Sequence, residues 1–393
     1  MKYIALILLA VLMLFDLLAC IKILRSSLCK FSKTVIVSII VLSYIFILVI
    51  PLFMFKSNNN GGEITKIIMS VITLFIFLAV AKLSFYIYWL PSKSKKLLYA
   101  GIISSVLVSS YYLYGVFVTR TNYKINEVSV SFKNLPESFD GYRIAFISDI
   151  HIGTMWNARK ELSELSGLIS STNADILMFG GDLVNMGYQE ITPDILHELS
   201  ELKCKEPTIA VLGNHDTGIY MFDSVNCPID VNVANIKNRV ESVGWQLLMD
   251  STVYLYKEKD SIAVTGIDYN NRLLEYKHSF DNIDDYNPYH IYNTIDKDVF
   301  NITISHLPQL WNGLSSRGYS DLTLSGHIHS MQFKFNIFDW NFSPAKFMYK
   351  EWSGLYENVN GKLYINDGIG NVGFFARIGA RPEITLITLK KGE

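Results

Sequence analysis

Four apolar runs in the first 120 residues set the strongest limit on how this chain can fold. Residues 3–24 are apolar except for Asp16 and Lys22, 35–55 are uncharged, 67–90 carry Lys82 alone, and 97–118 are uncharged. Each is close to the roughly 20 residues that a helix needs to cross a hydrocarbon core. One such run could be a buried core helix. Four in succession, separated by short polar loops, predict four transmembrane helices over residues 1–120. The first run is long for a cleaved leader and no small-residue cleavage pattern follows it, so it is expected to be retained. Asp16 is costly in lipid and is expected to face another helix or an interface.

Lys and Arg suggest an orientation. Arg25, Lys30 and Lys33 follow the first run, with Lys22 at its edge, and Lys93, Lys95 and Lys96 follow the third. Lys56 and Lys66 after the second are diluted by a neutral NNNGG stretch and Glu63. The first and third loops are therefore expected on the cytoplasmic side, and everything after residue 120 on the other. Arg120 and Lys124 pull the opposite way. In an exported domain Cys204 and Cys227 could pair; in a cytoplasmic one they would be thiols. No basic run with interleaved aromatics is present, so no nucleic-acid partner is expected.

From residue 121 to 393 short β-rich runs alternate with helical patterns. YRIAFISD (142–149), DILMFGGD (175–182), PTIAVLGNHD (207–216), SIAVTGID (261–268), FNITISH (300–306), DLTLSGHIH (321–329), KLYIND (362–367) and EITLITLK (383–390) read as strands. Ala158–Ser171, with Leu162, Leu165, Leu168 and Ile169 on one face, reads as a helix, as do Pro193–Leu202 and Val233–Val243. Alternation of this kind predicts an α/β domain, and the late strands with little helix between them predict a second, mixed sheet.

Five of these strands end in metal-type residues: Asp149 and His151, Asp182, Asn214-His215-Asp216, His306, and His327 with His329. A single His after a strand is more often an ordinary hydrogen-bonded residue than a ligand, and Gly-Gly-Asp alone is common in turns. Together they carry more weight, since five of the eight histidines stand at these strand ends. Open α/β sheets place ligands at the carboxyl ends of their strands. Carboxylate, imidazole and amide with no thiolate disfavour a structural zinc site and suit Mn, Fe or Zn in a catalytic one. Seven candidate ligands are too many for one ion and suit two, with Asp182, alone at its strand end, as the bridge. Such a pair clamps a phosphoryl group and supplies a hydroxide that attacks at neutral pH.

The ordered set DIH, GGDLVN, GNHD, SH, GHIH resembles the calcineurin-like metallophosphoesterase superfamily. The motifs span residues 149–329. The resemblance implies a two-sheet αββα sandwich over 121–393, following the four membrane helices. It implies one divalent ion on Asp149, His151, Asp182 and His329 and a second on Asp182, Asn214, His306 and His327. His215 would contact the phosphate and protonate the leaving oxygen, oriented by Asp216. The stretch GIGNVGFFARIGARPEITLITL (368–389) resembles the bacterial membrane-associated branch, which includes phosphodiesterases acting near lipid precursors. With the apolar runs, that implies a multi-pass protein of a bacterial plasma (inner) membrane hydrolysing phosphodiester or pyrophosphate bonds of a lipid-linked or membrane-proximal substrate, in contact with membrane lipids; the Lys and Arg distribution puts the catalytic domain outside the cytoplasm. Where that branch carries glycines after GHIH, this chain has Ser330-Met331-Gln332, so the backbone beside the site is expected to differ. The competing reading is a sensor or transporter subunit whose soluble domain binds phosphate without cutting it. Residues 331–356, dense in aromatics, are expected to form a hairpin on the second sheet or a flap at the membrane interface. Residues 269–299 are expected to be a surface insertion or lid.

Overall fold

A computed structural model of the chain describes residues 2–27, 29–44, 62–221, 227–269, 288–296, 298–337 and 340–392. The chain divides into two compact units, one of Met1–Ser57, Ile67–Val118 and Gly373–Ala376, the other of Asn58–Lys66, Thr119–Val372 and Arg377–Glu393.

The first unit is helical: α1 (Lys2–Leu24), α2 (Lys30–Leu42), α3 (Gly62–Trp89) and α4 (Lys95–Phe117). Among the described residues, two helices, Gly62–Trp89 and Lys95–Thr121, are long and apolar enough to cross a membrane. These two cover the third and fourth expected spans. The span expected over 35–55 is described only in part. Helix α2 begins at Lys30 and closes at Ser43, whose amide returns to Ile39 and Val41 O. Residues 45–55 of that span lie outside the described residues.

Asp16, Lys22 and Lys82, the three charges inside the four apolar runs, are all engaged. Lys22 donates to the carbonyls of Trp89, Leu90 and Ser92, where α3 ends and its carbonyls lack helical partners. Asp16 is buried and faces Lys82 at 2.7 Å, and it accepts from the hydroxyls of Tyr44 and Tyr86. Lys82 also donates to Ser43 Oγ at 3.1 Å.

The second unit is an α/β sandwich. Its first sheet has the order β1-β14-β2-β3-β4-β5, built from β1 (Lys124–Phe132), β2 (Arg143–Ile147), β3 (Ile176–Phe179), β4 (Ile209–Ala210), β5 (Gln246–Leu247) and β14 (Glu383–Lys391). The second sheet, β12-β13-β9-β8-β7-β6, uses β6 (Ser251–Lys257), β7 (Asp260–Ile267), β8 (Asn301–Ser305), β9 (Leu322–Ser325), β12 (Gly354–Asn358) and β13 (Gly361–Ile365). Successive strand residues point to opposite faces. Hence Ile144, Phe146, Ile176 and Met178 meet Ile262, Val264, Ile302 and Leu324 between the sheets. Ala145, Ile147, Leu177 and Phe179 point the other way and pack on three helices, α5 (Ala158–Ser171), α6 (Pro193–Ser200) and α7 (Ile229–Ser242). Asn157 caps α5 by accepting from Lys160 N, and Leu162, Leu165 and Ile169 bury its apolar face. Full burial of each such side chain contributes about 1.5–3 kcal/mol.

The aromatic segment forms a hairpin, β10 (Phe335–Ile337) with β11 (Trp340–Phe342), that pairs with itself as a separate two-stranded sheet, while β12 supplies the second sheet's edge. Most of the expected lid, 270–287 with 297, lies outside the described residues. Cys204 and Cys227 are free thiols.

Candidate metal centre

Strands β2, β3, β4, β8 and β9 end at one place, and the backbone past each end turns sharply inward. Asp149, His151, Asp182, His327 and His329 all have positive φ, between 46° and 73°. For non-glycine residues this left-handed region costs of order 1–3 kcal/mol each and persists where the surroundings over-determine it. Here they do. Asp149 N and His151 N donate to Gly181 O and Asp182 O, and Asp149 Oδ1 and Oδ2 accept from His327 N at 3.1 Å. Asp182 Oδ1 accepts from His215 N, and Asp216 accepts from Asp182 N, both at 2.8 Å. Each loop thus holds the next.

The result is a cluster of acceptor atoms facing one another. His329 Nε2 lies 3.0 Å from Asp149 Oδ1 and 3.2 Å from His151 Nε2. Asp182 Oδ2 lies 3.2 Å from His306 Nε2 and 3.6 Å from His151 Nε2. Asn214 Oδ1 stands 3.1 Å from His306 Nε2. Three overlapping groups bring ligand atoms within 4.8 Å of one another: Asp149, His151 and His329; His151, Asp182 and His215; Asp182, His306 and His327. All seven residues expected as ligands therefore meet, with Asp182 shared between two groups and its Oδ2 between two imidazoles.

The donor set fits a cation. His306 Nδ1 donates to Gly180 O at 2.8 Å, which turns Nε2 inward toward the cluster. The buried Nδ1 of His151 has no hydrogen-bond partner, so the ring's polar contacts are made through Nε2, inside the cluster. Burial opposes ionisation of Asp149 and Asp182, yet the histidines around them hold both carboxyls below the usual range. Burial and neighbouring imidazoles keep His151 well down and bring His327 to about 3. These are the protonation states of ligands. His306 goes the other way: against burial, Asp182 lifts it to about 9, so the same spot favours positive charge.

One expectation is corrected. Asp216 does not orient the imidazole of His215. Its buried carboxylate accepts from the amides of Gly213, Asp182, Leu183 and Val184 at 2.8–3.0 Å, tying the β3 loop to the β4 loop. The His215 ring is oriented by the Asn185 carbonyl, 2.7 Å from Nδ1. Beside the site, Ser330, Met331 and Gln332 adopt φ values of 50°, 49° and 58°, the left-handed backbone that glycine takes freely. The conformation survives because Ser330 Oγ donates to Asp367, Ser343 Oγ donates to Ser330 O, and Gln332 O and Oε1 accept from Ile378 N and Val372 N.

Three participants had no motif to mark them. Glu190, fully buried, accepts from the amides of Gly153, Asn185 and Met186 and so fixes the carbonyl that holds His215. Arg377, fully buried, donates to the carbonyls of Asp367, Gly370 and Ala380 and lies 3.3 Å from His329 Nδ1. A lone Arg in the apolar run GFFARIG was its signal. Tyr220 stacks on His215 with ring centroids 4.2 Å apart.

This geometry agrees with the similarities of the sequence. The calcineurin-like phosphoesterase family model matches residues 142–331. Over that stretch the chain is similar to calcineurin-like phosphoesterases. It is 27% identical over 300 residues to a transmembrane protein with metallophosphoesterase domain from Danio rerio, covering 74% of this chain and 62% of that one. The chain thus spans less than two thirds of that relative. It is 23% identical over 285 residues to the metallophosphoesterase YkuE of Bacillus subtilis, covering 71% of this chain and 90% of the relative. Over 125 residues it is 33% identical to the UDP-2,3-diacylglucosamine pyrophosphatase LpxG of Chlamydia trachomatis, covering 30% and 38%.

Proposed function

We propose that this protein is a membrane-anchored, two-metal phosphoesterase that cleaves phosphodiester or pyrophosphate bonds of a lipid-linked or membrane-proximal substrate. The observation that carries the reading is the facing of acceptors: His151, His306 and His329 Nε2 converge with Asp149, Asp182 and Asn214 oxygens within hydrogen-bonding distances. Asp149, His151, Asp182 and His329 would hold one divalent ion (Mn, Fe or Zn), and Asp182, Asn214, His306 and His327 the other. When bound, the pair supplies Lewis-acid activation of water and of the phosphoryl group. The chain's own residues supply the rest. Asp182 and Asp149 are fixed by backbone amides, so they need no reorganisation as charge develops. His215 keeps Nδ1 on the Asn185 carbonyl, which leaves Nε2 to deliver a proton to the leaving oxygen.

The apolar helices α3 and α4 support membrane anchoring, and the similarity to LpxG, whose name gives a pyrophosphate of a lipid precursor, supports the bond class. The Lys and Arg distribution favours a multi-pass protein in a bacterial plasma membrane with this domain outside the cytoplasm. The test is hydrolysis of bis-p-nitrophenyl phosphate and p-nitrophenyl phosphate by the full chain in detergent with Mn²⁺. Metal-dependent cleavage of the diester, lost in Asn214→Ala and His215→Ala, is expected. Folded, Mn²⁺-loaded protein that cleaves neither compound would overturn the general diesterase reading.

A further inference from the structure

We propose that Tyr220 is a positioning residue of this centre: its hydroxyl fixes the amide of Asn214 and its ring backs the imidazole of His215. This rests on the roles given above to Asn214 and His215. A side-chain amide has two ends, an acceptor and a double donor, and only the oxygen can hold a metal ion. Asn214 Nδ2 donates to Tyr220 Oη at 3.2 Å, and with that end held, Oδ1 points to His306 Nε2 at 3.1 Å. Turned over, the same amide would aim N–H groups at the cluster, where they would compete with a cation for the carboxylate of Asp182. The Tyr220 ring also lies against His215 at 4.2 Å and 30°, opposite in role to the Asn185 carbonyl that takes Nδ1. One contact fixes the imidazole at an atom; the other limits its rotation by packing on a face.

The local sequence makes this possible in one turn. Gly218 has φ +81°, its amide returns to His215 O, and Met221 N returns to Gly218 O, so the chain doubles back and lays Tyr220 over the residues just before it. A Cβ at Gly218 would meet Met221 Cε at 2.5 Å, so glycine suits both the dihedral and the space. Thr217 Oγ1 closes the turn on Asn214 O at 2.8 Å.

The two contacts separate by mutation. Tyr220→Phe removes the hydroxyl and keeps the ring; Tyr220→Leu removes both. The experiment measures Mn²⁺ affinity by equilibrium dialysis on the full chain in detergent, together with kcat and KM for bis-p-nitrophenyl phosphate at saturating Mn²⁺, after thermal melts establish folding. Tyr220→Phe is expected to weaken one Mn²⁺ site by about tenfold, the scale of lost outer-sphere partners, with kcat recovered when Mn²⁺ is raised. Tyr220→Leu is expected to show the same loss plus a fall in kcat of about tenfold that Mn²⁺ does not recover, with KM within about twofold. Wild-type Mn²⁺ affinity in Tyr220→Phe would overturn the hydroxyl's role, and wild-type kcat in Tyr220→Leu would overturn the ring's. If wild-type protein binds Mn²⁺ and cleaves no diester, the hydrolase reading fails while the two affinities still decide whether Tyr220 positions Asn214. If wild-type protein binds no Mn²⁺, both fail.

Discussion

Two buried polar clusters in this chain look alike in composition and differ in kind. In the helical unit, Asp16 accepts from Lys82, Tyr44 and Tyr86, and Lys82 has Ser43 besides. Donors meet acceptors and charge meets opposite charge. In the α/β unit, imidazole nitrogens face one another and face carboxylate and amide oxygens, and Asp149, His151, Asp182, His327 and His329 sit on left-handed backbone. The first cluster is complete as it stands. The second gains from an ion. A buried polar group is read by what it faces: satisfied pairs hold helices together, and facing acceptors make a binding site.

Four changes would sharpen or break that contrast. Chelation of divalent metal, or Asp182→Asn, is expected to reduce diester turnover to the background rate, because Asp182 is the group common to both proposed ion sites; turnover assays with and without added Mn²⁺ check this. His215→Ala is expected to lower kcat by about 10²–10⁴-fold, the usual contribution of a positioned proton donor, with Mn²⁺ binding retained. Asp16→Ala is expected to act in the other cluster only. It removes the carboxylate partner of the half-buried Lys82 ammonium, so detergent melts should show a destabilised helical unit, whereas Asp16→Leu with Lys82→Met should recover much of the loss. If Asp16→Ala instead leaves the melt unchanged, the closed-pair reading is wrong. The smallest effect concerns Glu190. Burial, against three amide donors, lifts its carboxyl from 4.5 to about 7. A folded-state pKa raised above the unfolded one contributes stability below pH 4.5 that is lost as pH rises to 7, about 3 kcal/mol in all. Glu190→Gln, which also turns an amide donor toward backbone N–H groups, should flatten that slope in denaturant titrations across this range.

The residues of this cluster were legible in sequence because each follows an apolar strand, and the parallel strands of each sheet end together. The pairing of Asp149 with His151, and of His327 with His329, was not a strand alternation at all. Left-handed backbone brings those pairs into one site, and no residue type at these positions announces it. Asp216 was misread for a related reason: adjacency to His215 in sequence suggested a side-chain partner, whereas the carboxylate turns to four backbone amides. Glu190, Arg377 and Tyr220 act through hydrogen bonds or packing from other loops or a return turn, and such contacts leave no spacing to read. The two-sheet layering was visible in the runs of apolar strand residues, but β1 and β12, half exposed and of mixed polarity, were not. Of the second apolar run only residues 35–44 lie among the described residues.

The central claim is that one carboxylate, Asp182, joins two ions in a single site. Low-temperature electron paramagnetic resonance of the full chain titrated with Mn²⁺ tests it most directly. The account predicts uptake of two Mn²⁺ per chain with an exchange-coupled signal from a bridged pair, and loss of that coupling in Asp182→Asn. Uptake of a single ion, or of two that remain magnetically independent, would contradict it.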